Sequence, residues 1–289
     1  MNIVFSINKF GLTGLGATLV SLIRNCSNNA DLALVFLCSD INTHDKQNIK
    51  NLLVNENFTG RAKFIDFDAK KEFGHLKALH GDYTCYGRLL IPKLLPSEDQ
   101  ALYLDADLLV LLDVLELKEF NFNEKILAAV YGSTITYTLD KRFFLDKLKW
   151  KDTTAYFNSG VILFNLKQWR IYNINAKVKA LIEKYPLDLT SHDQTLLNAV
   201  SNGQFERLPS KFNTAWLPGK NQAHNLEDKI IHFIGSPKPW DMVGKIIHNG
   251  YRSWLGYTTK NWKKKYCKTN INKLKRAWKI RRSIIKKLK

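Results

Sequence analysis

Ala101-Leu102-Tyr103-Leu104-Asp105-Ala106-Asp107-Leu108-Leu109-Val110-Leu111-Leu112 sets two carboxylates one residue apart between two apolar runs. Residues 101–104 read as a buried strand. In an open parallel sheet, ligands bind outside the carboxyl ends of the strands. An unpaired carboxylate in such a place costs several kcal/mol. A divalent cation removes that cost, and oxygen ligation suits Mg²⁺ or Mn²⁺. A cation held by few protein groups usually has phosphate as its other partner. The stretch therefore points to an α/β sheet with a nucleotide-diphosphate site at its edge. Taken alone, Asp-x-Asp reads equally as a turn or helix-capping pair.

The rest of the chain supports the sheet. Short β-rich runs at 2–6, 32–38, 62–67, 101–104, 126–130 and 161–164 alternate with helical patterns at 17–25, 43–55 and 83–90. That alternation predicts an α/β sheet of parallel type. Thr43 is the expected N-cap of the second helix, and Ile49, Leu52 and Leu53 recur at helical spacing. Near-continuous apolar strands fit a sheet covered on both faces. Gly11, Gly14 and Gly16 loosely follow a dinucleotide fingerprint, but their spacing is wrong for one.

Composition narrows the class. With 289 residues and 45% hydrophobic residues, the chain can bury one substantial core. Cys26, Cys38, Cys85 and Cys267 are scattered with no C-x-x-C pair, which argues against a zinc site or disulfide framework and fits a reducing compartment. Met1-Asn2-Ile3-Val4-Phe5 enters a strand without a basic leader or long apolar stretch, so a cytoplasmic protein is expected.

The net charge of +18 is unevenly placed: residues after Asp241 hold no Asp or Glu and 16 Lys or Arg. Subtracting those 16 from 44 leaves 28 basic against 26 acidic groups in residues 1–241. An anionic partner is therefore expected for the C-terminal end only. Arg252, Trp254, Tyr257, Trp262, Tyr266 and Trp278 interleave with that basic background. Residues 270–289 can form one amphipathic helix about 30 Å long, suited to lie on an anionic membrane. We expect a division into residues 1–248 and a basic, aromatic-rich, membrane-associating tail, 249–289. A nucleic-acid role for the whole protein would require basic residues in the body as well.

Three further segments accompany the Asp pair. Tyr156-Phe157-Asn158-Ser159-Gly160-Val161 reads as a small polar turn entering an apolar strand, and Ser191-His192-Asp193-Gln194-Thr195 as a polar cluster opening a helix. His232-Phe233-Ile234-Gly235-Ser236-Pro237-Lys238 sets a His and a Lys six residues apart across a Gly/Pro turn. Together, over residues of about 1–245, these resemble glycosyltransferase family 8 in order and spacing, most of all its bacterial galactosyl- and glucosyltransferases of lipopolysaccharide and other surface glycans. The resemblance implies a GT-A fold (a Rossmann-like nucleotide-diphospho-sugar transferase fold). It also implies a UDP-hexose donor, Mn²⁺ with Mg²⁺ as the alternative, retention of configuration, and a glycan or lipid-linked acceptor. The enzyme would then work in the cytoplasm, peripheral to the inner face of the cell membrane, with no nucleic-acid partner.

Carried over by motif, the resemblance makes Asp105, Asp107 and His232 the metal ligands. One imidazole among two carboxylates favours Mn²⁺ over Mg²⁺. Lys238 becomes the pyrophosphate lysine, and Gly235 lets backbone approach the phosphates. Ser6, Asn8 and Ala106 fall at donor-binding positions; Asn8 can hydrogen-bond uracil or ribose, and Phe10 can stack. The stretch Ser6-Ile7-Asn8-Lys9-Phe10 departs from the acidic and Asn/Tyr residues common there in the family. Arg88 falls beside the sugar and metal, while Asn158, Asp193 and Gln194 surround the hexose. Gln194 lies on the sugar face, but a neutral amide is a poor nucleophile. Front-face attack by the acceptor hydroxyl is therefore expected, with Gln194 stabilising the oxocarbenium-like state, no covalent enzyme intermediate, and Asp193 binding sugar hydroxyls. Cys85 reads as a buried small hydrophobe, and His44, His75, His80, His192, His224 and His248 as ordinary. The alternative function is a non-catalytic sugar-nucleotide or nucleic-acid binding protein.

Overall fold

The computed structural model describes residues 1–222, 225–269 and 271–288; His224 lies outside the described residues. The strands are β1 (Asn2–Ile7), β2 (Ala33–Cys38), β3 (Arg61–Asp66), β4 (Gln100–Leu104), β5 (Leu108–Val110), β6 (Leu127–Thr134), β7 (Ala155–Asn165), β8 (Glu206–Leu208), β9 (Thr214–Ala215) and β10 (Ile230–His232). Seven form a central sheet in the order β3-β2-β1-β4-β7-β6-β8, and three form a small sheet, β5-β10-β9. Both faces of the large sheet are covered. Ile3, Phe5 and Ile7 of β1 pack in one cluster with Leu15, Leu19 and Leu22, while Val4 packs with Tyr86 and Trp169 on the other face. This two-sided burial explains the near-continuous apolar strands.

The sheet is mixed rather than parallel throughout. β1 to β4 run parallel, but β7 is antiparallel to both β4 and β6. A chain that leaves β6 and returns without crossing over the sheet must come back antiparallel. β7 also begins at Ala155, so Tyr156–Gly160 is strand and not a turn. Polar Asn158 and Ser159 broke the apolar run without breaking the strand.

The helix α1 (Leu12–Asn25) starts five residues before its predicted beginning. Glycine lowers helix propensity, yet here it serves packing. A Cβ on Gly14 would stand 2.4 Å from the Ala106 carbonyl oxygen, and one on Gly16 2.3 Å from Trp262. The helix α2 (Thr43–Asn55) is capped by Asn42, whose Oδ1 accepts from the Asp45 N–H at 2.8 Å, and not by Thr43. The helical pattern at 83–90 is a 3₁₀ helix, Thr84–Leu90.

The C-terminal residues fold back onto this body. Trp254 and Trp262 are buried, and Trp262 Nε1 donates to the Leu12 carbonyl at 2.8 Å. Tyr266 Oη donates to Asp45 at 2.9 Å and accepts from Asn48 at 2.7 Å. Instead of one helix over 270–289 there are two, Ile271–Lys279 and Arg281–Leu288. The turn between them lets Ile280 bury while Ile271, Leu274 and Trp278 stay exposed.

Candidate active site

Asp105 and Asp107 stand where the chain passes from β4 in the large sheet to β5 in the small one. Backbone pairing fixes both sides of this junction: the Asp105 N–H donates to Gly160 O at 2.8 Å, and the Phe233 N–H to Asp107 O at 3.1 Å. His232 ends β10, opposite Leu108 of β5. One ligand atom from each of Asp105, Asp107 and His232 falls within 4.8 Å of the other two. Gly160 makes room for this cluster. A Cβ there would meet His232 Cε1 at 2.2 Å, His232 Nδ1 at 2.7 Å and Asp105 Oδ2 at 2.9 Å.

A relay of amides sets the tautomer of His232. The Gly160 N–H donates to Asn158 Oδ1 at 3.0 Å, and the Ser159 N–H to Gln194 Oε1 at 3.0 Å. Backbone N–H groups only donate, so both amides have fixed orientations. Asn158 Oδ1 also accepts from Asn213 Nδ2 at 3.1 Å, which turns Asn213 Oδ1 toward His232 Nδ1 at 3.0 Å. Nδ1 must then carry the proton, leaving the Nε2 lone pair to face the carboxylates.

Asp107 Oδ1 lies 3.2 Å from Nε2, is buried, and receives no hydrogen bond. Two acceptors held that close, with one otherwise unsatisfied, form a place that a cation could bridge. Two carboxylates and an imidazole form a fitting donor set for a divalent transition metal.

Around the cluster, two cations offset part of the charge of three carboxylates. Arg88 Nη2 lies 2.8 Å from Asp105 and its Nε 3.0 Å from Asp193, with the guanidinium 4.2 Å above the Tyr103 ring. Tyr103 Oη also donates to Asp105, at 2.7 Å. Lys238 Nζ reaches Asp107 Oδ2 at 2.7 Å and donates to the Phe233 carbonyl. Burial would raise the Asp107 carboxyl, but the Lys238 ammonium outweighs it and holds that group well below the usual carboxylate range. Burial pushes Asp193 up, against the pull of Arg88. Burial likewise puts the Cys85 thiol well above its ordinary value, so it is no nucleophile.

A cleft of about 650 Å³ opens beside the cluster, a size that holds a small ligand. Ser6, Asn8, Phe10, Arg88, Asp105, Ala106, Asp107 and Lys238 line it, as the sequence suggested. Asn158, Asp193 and Gln194 do not line it; they sit behind Asp105 and His232 in the hydrogen-bond network. Gln194 is fully engaged at its oxygen, which accepts from Asn158 and Ser159, and its nitrogen donates to Tyr156 Oη at 2.9 Å. Gly235 is not at the cleft wall; its φ of +76° supplies the turn between His232 and Lys238. His192 has φ +60° and ψ −124°, backbone strain placed immediately before Asp193. Sequence reasoning missed Asn213, whose only signal is the general need of a ligating histidine for a partner on its second nitrogen. It also missed the cleft wall that Lys265, Tyr266, Lys273 and Arg276 contribute.

A family model described as "Glycosyl transferase family 8" matches residues 2–244. The chain belongs to glycosyltransferase family 8. Among curated relatives, General stress protein A of Bacillus subtilis is 27% identical over 265 residues, covering 86% of this chain and 90% of that protein. Lipopolysaccharide 1,3-galactosyltransferase of Salmonella typhimurium is 27% identical over 258 residues, covering 84% and 74%. Among solved structures, the galactosyltransferase LgtC, in complex with donor and acceptor sugar analogues, superposes with a TM-score of 0.73 at 22% identity, covering 91% of this chain and 99% of that one. The likeness to LgtC establishes the GT-A fold. Family 8 enzymes of this fold use UDP-sugar donors and a divalent metal, and this glycosyltransferase has an Asp-x-Asp site of the right composition.

Proposed function

We propose that this family 8 glycosyltransferase is a retaining, Mn²⁺-dependent enzyme that moves galactose or glucose from a UDP-sugar to a glycan or lipid-linked acceptor in bacterial surface polysaccharide or lipopolysaccharide synthesis. The observation that carries the reading is the unsatisfied Asp107 Oδ1 facing the His232 Nε2 lone pair, with Lys238 alongside. Held by Asp105, Asp107 and His232, Mn²⁺ would supply positive charge where the diphosphate departs. Lys238 adds a second positive group on the same side, and fixed charges aimed at developing charge supply the largest share of rate. Ser6, Asn8 and Phe10 line the cleft and are the side chains assigned here to the nucleoside. Similarity to the lipopolysaccharide 1,3-galactosyltransferase of Salmonella typhimurium supports galactose and lipopolysaccharide.

Membership of the family implies retention, and the residues behind the metal cluster bear on the route by which it would be reached. Gln194 has both ends of its amide occupied, and Asp193 is buried between Arg88 and Ser159 Oγ, 3.0 Å from each. Neither is a free nucleophile, so attack comes from the acceptor hydroxyl on the leaving-group face. Gln194 and Asn158 support the metal cluster from behind, through the Ser159 and Gly160 backbone.

Residues 1–248 act as the catalytic domain and 249–289 as the basic appendage that meets the membrane. Ile271, Leu274 and Trp278 fall on one exposed face at i, i+3, i+7 spacing, among Lys and Arg. No helix among the described residues is long and apolar enough to cross a membrane; the association proposed is a peripheral one. The test of the reaction is UDP release from a panel of UDP-sugars with and without Mn²⁺. Metal-dependent turnover of UDP-galactose or UDP-glucose is expected, and absence of turnover with every UDP-sugar overturns the proposal.

A further inference from the structure

We propose that the helix Ile271–Lys279 is a strap across the donor cleft, with Arg276 the positioning residue that holds the Lys238 loop in place through Asp241. The inference rests on the donor reading of the cleft above.

Arg276 Nε lies 2.5 Å from Asp241 Oδ1, and its Nη2 3.1 Å from Oδ2. This two-pronged geometry is the strong form of the Arg–carboxylate pair. The Asp241 side chain is only 5% exposed, and a buried carboxylate stripped of its partner is costly. The same Oδ2 accepts from the Lys238 backbone N–H at 2.7 Å. Lys238 in turn reaches Asp107 with its ammonium group at 2.7 Å. One carboxylate therefore connects a C-terminal helix to the cation that faces the departing diphosphate.

The helix is tied to a second stretch of the cleft wall. At its far end Lys279 Nζ donates to the His80 carbonyl at 3.2 Å, in the loop whose Leu79 and Asp82 line the cleft. Near its start Lys273 Nζ lies 3.5 Å from the Trp240 carbonyl and 2.8 Å from that of Cys267. Lys273 and Arg276 both line the cleft. Positions 273, 276 and 280 thus face the body, while 271, 274 and 278 face outward. The bland reading of this segment is a solvated basic helix with incidental ion pairs. The buried Asp241 and its shared bond to Lys238 argue for the strap.

Titration calorimetry of UDP into the full chain with Mn²⁺ tests the strap. Arg276→Ala is expected to weaken UDP binding by about tenfold, within the roughly 5–150-fold span of site-to-site coupling. Arg276→Lys, which keeps the charge and a single prong, should recover part of that loss. Arg281→Ala removes the same charge from a side chain bonded, among the described residues, to the Trp278 carbonyl and ring, and should bind UDP as the unaltered protein does. In UDP-sugar hydrolysis, Arg276→Ala should raise the donor KM and lower kcat as well, because Lys238 faces charge that grows as the diphosphate departs. Equal UDP affinity in Arg276→Ala and the unaltered chain overturns the strap and leaves the donor site standing. Equal weakening by Arg276→Ala and Arg281→Ala also overturns it, since charge alone would then be responsible. If the unaltered chain takes up no UDP with Mn²⁺, the donor reading falls and the strap with it.

Discussion

Replacing Gly160 with alanine adds one methyl group where β7 faces the carboxylate–imidazole cluster. The new Cβ would stand 2.2 Å from His232 Cε1, 2.7 Å from its Nδ1 and 2.9 Å from Asp105 Oδ2. Carbon–carbon contacts are most favourable at ~3.5 Å, so the imidazole must retreat by about 1.3 Å or the strand must shift by as much. Metal–ligand distances tolerate only about ±0.2 Å. A displacement several times larger takes Nε2 out of range, and losses of about 10–100-fold in metal affinity accompany even disturbed support of a ligand. The backbone of Gly160 is ordinary strand, so the effect is steric. Overpacking should also cost about 1–3 kcal/mol of stability, which denaturant unfolding would report separately. Electron paramagnetic resonance of free Mn²⁺ during titration gives the affinity directly. Gly160→Ala protein that binds Mn²⁺ as tightly as the unaltered chain refutes the reasoning.

Three further outcomes are expected. Asn213→Ala removes the acceptor that fixes the His232 tautomer, so Mn²⁺ affinity should fall by about tenfold or more, measured by the same titration; an unchanged affinity would mean the amide relay does not orient the imidazole. His248 is buried with Nε2 unbonded, and burial, then Lys238, push its pKa down to about 4, against weaker upward pulls from the Trp216 backbone and Asp241. Since an unfolded histidine titrates near ~6.5, the unfolded chain binds a proton the folded chain refuses between those values. Stability should therefore decline as pH falls through that window, by at most about 3 kcal/mol, and be level above it. Urea unfolding of His248→Gln should lack this decline, and an identical pH profile in the two proteins would count against it. Removing residues 281–289 deletes five Lys or Arg. At roughly a quarter of the ~1 kcal/mol available per charge near an anionic surface, liposome binding should drop by about tenfold, and undiminished sedimentation with acidic vesicles would refute membrane docking through this end.

The residues that made the site legible in sequence were those whose chemistry is costly without a partner. Asp105 and Asp107 between apolar runs announced a ligand-bearing strand end, and β1, β2 and β4 were legible because strands buried on both faces read as unbroken apolar runs. Where polar residues serve the site from within a strand, as Asn158 and Ser159 do, the pattern suggested a turn. Gly14 and Gly16 hid the start of α1 because their need is tertiary: one makes room for the Ala106 carbonyl and the other for Trp262. Asn213 meets His232 across 19 residues and Asn158 across 55, and no local spacing encodes such a meeting. The basic C-terminal end showed its charge in sequence but not its partner. Asp241, the last acid in the chain, is what Arg276 pairs with.

The central claim is that a divalent cation, held by Asp105, Asp107 and His232, joins this protein to a nucleoside diphosphate. Calorimetric titration of UDP with and without Mn²⁺, on the unaltered chain and on Asp107→Asn, tests it most directly. The account predicts saturable uptake of UDP at one site that needs Mn²⁺ and is lost in Asp107→Asn. Uptake of UDP that is equally strong without the metal, or that survives Asp107→Asn undiminished, would contradict it.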